Sequence, residues 1–325
     1  MKAVEMQMLE RAKALLESGE VARVIGWKKG DFCYDPSPAT FETVEELNDF
    51  VYDWFCGANL SKYLLQASKK EGKTAVFLKP CDTYSFNQLV KEYRIKRENI
   101  YVIAVECLGK LDIEKMKEQG VSFVTGVEVD GKEVKVTSLY GETTLAKGDV
   151  VLSKCAACNK GYQAKDEEII TRERPVREVN RFEEVEKLEA MTEDERFNFW
   201  REQLSKCIRC NACRNVCPAC SCVKCVFDNP ASGISAKAND SEFEESMFHI
   251  IRAYHVAGRC TDCGECTRVC PQNIPLQLLN RKFIKDIDGF YGEYQAGETS
   301  EGKTPLTDYT EEDVEPYEVF NGEAK

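Results

Sequence analysis

The chain has 325 residues, a net charge of −12 and 17 cysteines, long enough for two cores and without a basic field to draw nucleic acid or anionic lipid. No apolar run approaches the ~20 residues that cross a bilayer, so no direct membrane insertion is expected. An odd cysteine count and no secretory leader pattern point to a reduced, cytoplasmic compartment rather than to disulfides.

Taken in chain order, residues 4–18 read as a helix with Val4, Met8, Ala12, Leu15 and Leu16 on one face and Gly19 as its stop. A strand follows at 21–27, and 41–70 reads as mainly helical. An α/β alternation comes next: strand 74–79, helix Thr83–Tyr93, strand 100–105, helix Ile113–Gln119. Residues 121–139 read as strands joined by an Asp130–Gly131 turn, and 149–154 as a further strand just before Cys155. Residues 1–160 are thus expected to form an α/β domain, a mixed or parallel sheet covered by helices.

The charged, irregular stretch 161–190 reads as a linker arm. A helix at 193–206 then leads into Cys207, opening a mainly α-helical domain over 191–290. Its amphipathic segment places Phe243, Met247, Ile250, Ile251 and Tyr254 on one face. A closing helix is expected at 274–287, and 291–325 reads as an acidic tail, flexible or laid across a partner.

The chemistry lies in a repeat within that second domain. Cys207, Cys210, Cys213 and Cys217, followed by Pro218, have the spacing C-x2-C-x2-C-x3-C-P; Cys260, Cys263, Cys266 and Cys270, followed by Pro271, repeat it. This is the spacing of two-cluster ferredoxins, in which the fourth cysteine of each run serves the other cluster. The expected tetrads are therefore Cys207, Cys210, Cys213 with Cys270, and Cys260, Cys263, Cys266 with Cys217, each on one [4Fe-4S] cluster. Zinc also takes CxxC pairs, but rarely a third equally spaced cysteine and a terminal Cys-Pro. The 42 residues between the runs exceed the link of a compact βαβ ferredoxin and favour a helical dicluster module.

Outside the repeat, Cys81, Cys107 and the pair Cys155 and Cys158 each follow an expected strand. Ligands of open α/β sheets bind beyond the carboxyl ends of the strands, so these four thiols suit a third [4Fe-4S] cluster. The bland alternative is cysteine as a small buried hydrophobe. Cys220, Cys222 and Cys225, with one of the N-terminal pair Cys33 and Cys56, give a fourth candidate set; Cys56 opens a helix-entry segment where amides could steady an anion. His249 and His255 lie six apart on an expected helix and read as surface or core residues. No GxGxxG or Walker A motif supplies a local nucleotide site.

Several stretches are familiar as a group. LLESGEVARVIGWKKG, FCGANLSKYLL, KPCDTYSFNQL, VIAVECLG and CAACNKG resemble the beta-subunit family of deazaflavin-coenzyme-reducing hydrogenases and formate dehydrogenases. FWREQLSKCIRCNACRNVCPACSC and HVAGRCTDCGECTRVCPQNIP resemble the helical ferredoxin module of heterodisulfide reductases. The resemblance covers about residues 10–285. It implies an iron–sulfur electron-transfer subunit of a cytosolic anaerobic redox complex. Its partners would be other redox subunits: a flavoprotein, a hydrogenase or formate dehydrogenase, or a heterodisulfide-reductase-like chain. Flavin enters only through the resemblance, since the glycine-rich segments that hold it in the family have no counterpart here. The competing expectation is a catalytic, flavin-containing oxidoreductase working at the sheet crevice near Cys81 and Cys107.

Overall fold

The computed structural model describes residues 1–170, 178–229, 231 and 241–307. Its first half is built on a five-stranded sheet ordered β2-β1-β3-β4-β8, comprising β1 (Arg23–Lys28), β2 (Ser37–Phe41), β3 (Thr74–Leu78), β4 (Ile100–Ala104) and β8 (Glu168–Ile169). Only the β1–β2 pair is antiparallel; β1–β3, β3–β4 and β4–β8 are parallel. Strands β3 and β4 are buried along their whole length. That is the pattern of a sheet covered on both faces. Helix α1 (Lys2–Glu17) buries Met8, Ala12 and Leu15 against the core, and α3 (Pro80–Lys91) buries Phe86 and Leu89.

Two expectations need correction in this half, and a third, the hairpin turning at Asp130–Gly131, holds. Residues 41–70 are not mainly helical: they hold two 3-10 turns, Glu45–Asp49 and Leu60–Tyr63, and one short turn of helix, α2 (Leu64–Ala67). The chain between them extends along the sheet, with the Val51 amide donating to the Trp27 carbonyl at 2.9 Å. The aromatic spacing serves packing, as Phe50 meets Phe41 and Phe77 and Tyr52 meets Trp27. Residues 149–154 are no strand of the sheet either. They form the end of α5 (Lys147–Val150), a bridge between Val151 and Leu111, and the start of α6 (Ser153–Ala156). The amides of Asp112 and Leu152 exchange bonds with Val150 and Lys110 carbonyls, which satisfies this backbone locally. Finally, β5 (Val124–Asp130), β6 (Glu133–Ser138) and β7 (Gly141–Ala146) make a separate antiparallel meander. Its turn falls where Gly131 takes φ +55°. Helix α4 (Ile113–Glu118) closes its small core through Met116.

The second half is helical: α7 (Glu183–Glu189), α8 (Glu193–Ser205), α9 (Ala212–Asn215), α10 (Glu242–Val256), α11 (Glu265–Arg268) and α12 (Leu276–Tyr291). Helix α8 starts at a Thr192–Glu195 capping box. Helix α10 packs against α8 and α12, but not by the expected face. It buries Phe248, His249, Arg252, Ala253 and Val256, leaving Phe243 70% and Tyr254 62% exposed. Polar residues are drawn inward because the centre of this half is lined by thiols rather than by hydrocarbon alone. The fold is therefore an α/β domain followed by a mainly helical domain.

Two segments between and after these halves lie against the first. Residues 161–170, expected in the linker arm, supply β8, whose Glu168 accepts from Arg11 at 2.5 Å and from Tyr101 at 2.9 Å. Part of the expected tail also packs: Ala296 is buried, and a Cβ on Gly297 would meet the Tyr84 carbonyl of α3 at 1.8 Å. Residues 171–177 of the arm and 308–325 of the tail lie outside the described residues.

Candidate metal centres

The two cysteine runs fold alike. In the first, Arg209 and Asn211 take left-handed backbone angles, φ 51° and 61°; in the second, Asp262 and Gly264 do so, φ 56° and 69°. Each pair flanks the second cysteine of its run, so both loops wrap in one sense before a short helix, α9 or α11, begins. Asparagine, aspartate and glycine tolerate this region; arginine does so only when its surroundings hold it. Arg209 is held by Glu245 at 2.7 Å, by the Glu244 carbonyl at 3.0 Å and by the Phe248 ring at 4.5 Å. Asp262 is held by Arg281 and Gln277 at 2.8 and 2.7 Å. The Arg209 amide donates to Cys207 Sγ at 3.4 Å, and the Asp262 amide bonds Cys260 in the same way.

Cys213 has Cys270 and Cys210 as its thiol neighbours. Cys217 is the neighbour that Cys260, Cys263 and Cys266 share. Burial pushes the Cys207 and Cys266 thiols up to about 12, while a bond from Cys220 pulls Cys217 down to about 6. Thiols raised as far as Cys207 and Cys266 ionise readily only when a metal takes the proton's place.

A third group stands at the carboxyl edge of the main sheet. Cys81 begins α3 just past β3, Cys107 follows β4, and Cys155 lies on α6 with Cys158 just beyond it. The strand expected to deliver Cys155 is absent, but thiols of this set lie near enough to influence one another: Cys81 neighbours Cys158, and Cys155 neighbours Cys107 and Cys158. The bridge from Leu111 to Val151 carries out that delivery. Burial raises Cys155 to about 11.

The fourth set does not assemble as expected. Cys220, Cys222 and Cys225 line one cavity of about 390 Å³. Cys56 instead lies in the core of the sheet domain, bonded through its sulfur to Asp53 and the Val51 carbonyl, 3.4 and 3.7 Å away. Its segment opens on a bend rather than a helix, so no helix terminus presents it. Cys33 is separate again, against the Val124 carbonyl of the meander.

Sequence reasoning missed the charges between these thiols. Lys154, next to Cys155, pairs with Glu265 of the second run and donates to the Gly57 carbonyl at 2.7 Å. Arg268 grips the same carboxylate through two contacts of 2.8 Å. Lys154 thereby sits beside Cys81 and Cys155 on one side and Cys263 on the other. Lys160 stands likewise beside Cys158 and Cys260, and burial lowers it to about 8. Ser85 of α3 meets Thr261 at 2.8 Å. A Cβ on Gly264 would lie 2.4 Å from that of Lys154, which accounts for glycine at this contact.

Deeper in the helical half, Arg252 is 1% exposed and none of its three guanidinium nitrogens has a hydrogen-bond partner among the described residues. Its neighbours are Cys266, Cys213, Cys217 and Cys220. A buried cation without a counter-charge is costly, so its surroundings fit an anionic thiolate-ligated group. His249, which the sequence left as a bland residue, is buried with Nε2 3.3 Å from Cys207 Sγ. Burial beside Arg252 and Arg209 lowers its pKa to about 3, so it is a neutral ring against that sulfur. With Cys207 and Glu245 it forms a grouping compact enough for a single ion, but Glu245 is already held by Arg209.

Residues 203–274 match the 4Fe-4S dicluster domain family. The F420-dependent formate dehydrogenase subunit beta of Methanocaldococcus jannaschii is 24% identical over 86% of this chain and 89% of its own length. The F420-dependent formate dehydrogenase 1 subunit beta of Methanococcus maripaludis is 26% identical over 66% of this chain and 72% of its own. A chain of the F420-reducing [NiFe] hydrogenase complex from Methanosarcina barkeri aligns over 49% of this chain and 64% of that one, at 16% identity and a TM-score of 0.37, too low to carry argument. The chain thus resembles the formate dehydrogenase beta subunits over most of its length, and its second half carries a 4Fe-4S dicluster domain.

Proposed function

We propose that this chain is the iron–sulfur, electron-relaying beta-type subunit of a formate-dehydrogenase- or hydrogenase-like complex. Two [4Fe-4S] clusters sit on the Cys207/Cys210/Cys213/Cys270 and Cys260/Cys263/Cys266/Cys217 tetrads, and a third on Cys81, Cys107, Cys155 and Cys158. When bound, such clusters take up and release single electrons. The observation that carries the reading is the joint at Lys154 and Lys160, each lysine lying beside thiols of both the sheet-edge set and the Cys260 tetrad. Arg252 stands in the same way between Cys213 and Cys266, one from each tetrad. The three thiol groups are therefore in series, with the Cys260 tetrad in the middle.

The protein's own contribution is burial and charge. Apolar walls exclude water from Cys213 and Cys266, and the three cations stand where added negative charge would otherwise be repelled. His249 and the Arg209 amide face Cys207, where donors to sulfur help set a cluster's potential. Among the described residues no helix is long and apolar enough to cross a membrane.

The test is the exchange of fourth ligands. In Cys217→Ser, the EPR signal of the cluster on Cys260, Cys263 and Cys266 is expected to change while that of the Cys207 set persists. Disturbance confined to the Cys207 set would show the pairing to be wrong. A second reading, a flavin or small-substrate site, draws on a cavity of about 340 Å³ at the sheet's carboxyl edge, lined by Glu106, Cys107 and Tyr162. Stoichiometric flavin retained through gel filtration would favour it over the pure relay.

A further inference from the structure

Once the two tetrads and the sheet-edge set are accounted for, three clustered thiols remain without a role. Cys220, Cys222 and Cys225 share the wall of one cavity with Lys62, Arg252 and Arg259. Two of these cations are already answered. Arg259 is gripped by Glu92, its Nε at 2.7 Å, and Lys62 donates to the Cys220 carbonyl at 2.7 Å. Arg252 is not: it is buried, with every guanidinium nitrogen unpartnered among the described residues. A buried cation beside Cys220, on a wall that also carries Cys222 and Cys225, makes the cavity a place for an anion ligated by sulfur.

The spacing separates a cluster from a lone ion. Among the described residues, the grouping whose ligand atoms all lie within 4.8 Å of one another is Cys207, Glu245 and His249, not these three cysteines. Their sulfurs, like those of the two tetrads, do not all lie within that distance of one another. A body with several irons takes thiolates that stand farther apart than the ligands of a lone ion. No fourth thiol joins them, because Cys56 is committed to Asp53 and Val51 in the other domain.

We infer that Cys220, Cys222 and Cys225 hold a further iron–sulfur cluster by three thiolates, with its remaining iron open to the cavity and carrying an exchangeable nitrogen or oxygen ligand. Three thiolates leave the ligated cluster anionic, and Cys220 lies beside Arg252 on the cavity wall, so the cation would face this centre as well as the two tetrads. Cys220 hydrogen-bonds Cys217, so the centre adjoins the middle tetrad of the series. Cys222 is exposed, so the centre reaches the surface and forms a side port of the relay. The inference rests on the relay reading for its neighbours but makes a separate claim about iron.

The test compares anaerobically reconstituted full-length protein with Cys222→Ser/Cys225→Ser, which leaves both tetrads intact. The expected result is a loss of about four irons and four sulfides per chain, with the EPR signals of the tetrads retained. Equal iron in parent and variant overturns the inference and leaves the relay standing; a parent without iron overturns the relay itself. Loss of all iron together in the variant overturns the claim of a separate centre. Cys222→Ser alone, at an exposed position outside the packed core, must give a loss or an altered signal of the same single centre. Imidazole is the probe for the open iron and should shift one EPR signal in the parent and none in the double variant. No shift in the parent overturns the exchangeable ligand.

Discussion

Glu265 is a carboxylate with no exposure, placed between two cysteines and answered from both sides of a domain boundary by Lys154 and Arg268. Buried ion pairs add little net stability, but removing one partner strands the other. Lys154→Met is therefore expected to lower stability by about 3–5 kcal/mol, read as a fall in the anaerobic denaturant midpoint. The double change Lys154→Met/Glu265→Gln should recover part of that loss, since no charge is then left alone. If the double variant is no better than the single, the pairing is not what the lysine supplies. Gly264→Ala tests the same contact by shape. Its left-handed φ of 69° and the Lys154 Cβ 2.4 Å away both oppose a methyl group, at an expected cost of about 1–3 kcal/mol. Full stability in that variant would show that the halves approach less closely.

Helix α10 shows how far periodicity could be read. Its existence and length were legible, because apolar residues recur over 243–254 with helical spacing. Its inward face was not, because the stripe that looked most apolar is turned outward and the buried face includes His249 and Arg252. A hydrophobicity pattern presumes a hydrocarbon core, and this core is lined with sulfur. The two faces can be told apart by substitution. Phe248→Ala should cost about 3–5 kcal/mol, as the ring contacts Phe227 and carries Arg209. Phe243→Ala should change stability by no more than about 0.5 kcal/mol. The reverse order in thermal melts would restore the face expected from sequence. Strands β1, β3 and β4 were legible for the opposite reason, being apolar runs buried in hydrocarbon. Residues 149–154 misled because a short apolar run does not distinguish a sheet strand from a single bridge and two turns. The thiol spacing of the second half was the clearest signal in the chain. Lys154, Lys160 and Arg252 gave none, since nothing local marks a cation whose partner is far away in sequence.

At the scale of the whole molecule, the two halves differ in what holds them. The sheet domain has a continuous core of its own, from Met8 on α1 through Trp27 and Phe77 to Ile103. The helical domain has a small apolar core that includes Cys207, Cys213, Cys266 and Cys270 among its packed members. Stripping iron with a chelator should therefore loosen 203–274 while the sheet stays folded. Hydrogen exchange is expected to show lost protection in α10 and α11 and retained protection in β3 and β4. Uniform loss across both halves would mean that the sheet too depends on metal, through the Cys81 set. The joint has a further consequence for how such chains can be recombined. Its lysines come from one half and its carboxylate, threonine and glycine from the other, interleaved with the cysteines themselves. Neither half can be exchanged for that of a distant homologue without stranding a charge next to a thiol group. A working chimera would have to carry the cut away from the cysteine loops, or else transplant Lys154, Ser85, Thr261, Gly264 and Glu265 as one heritable unit.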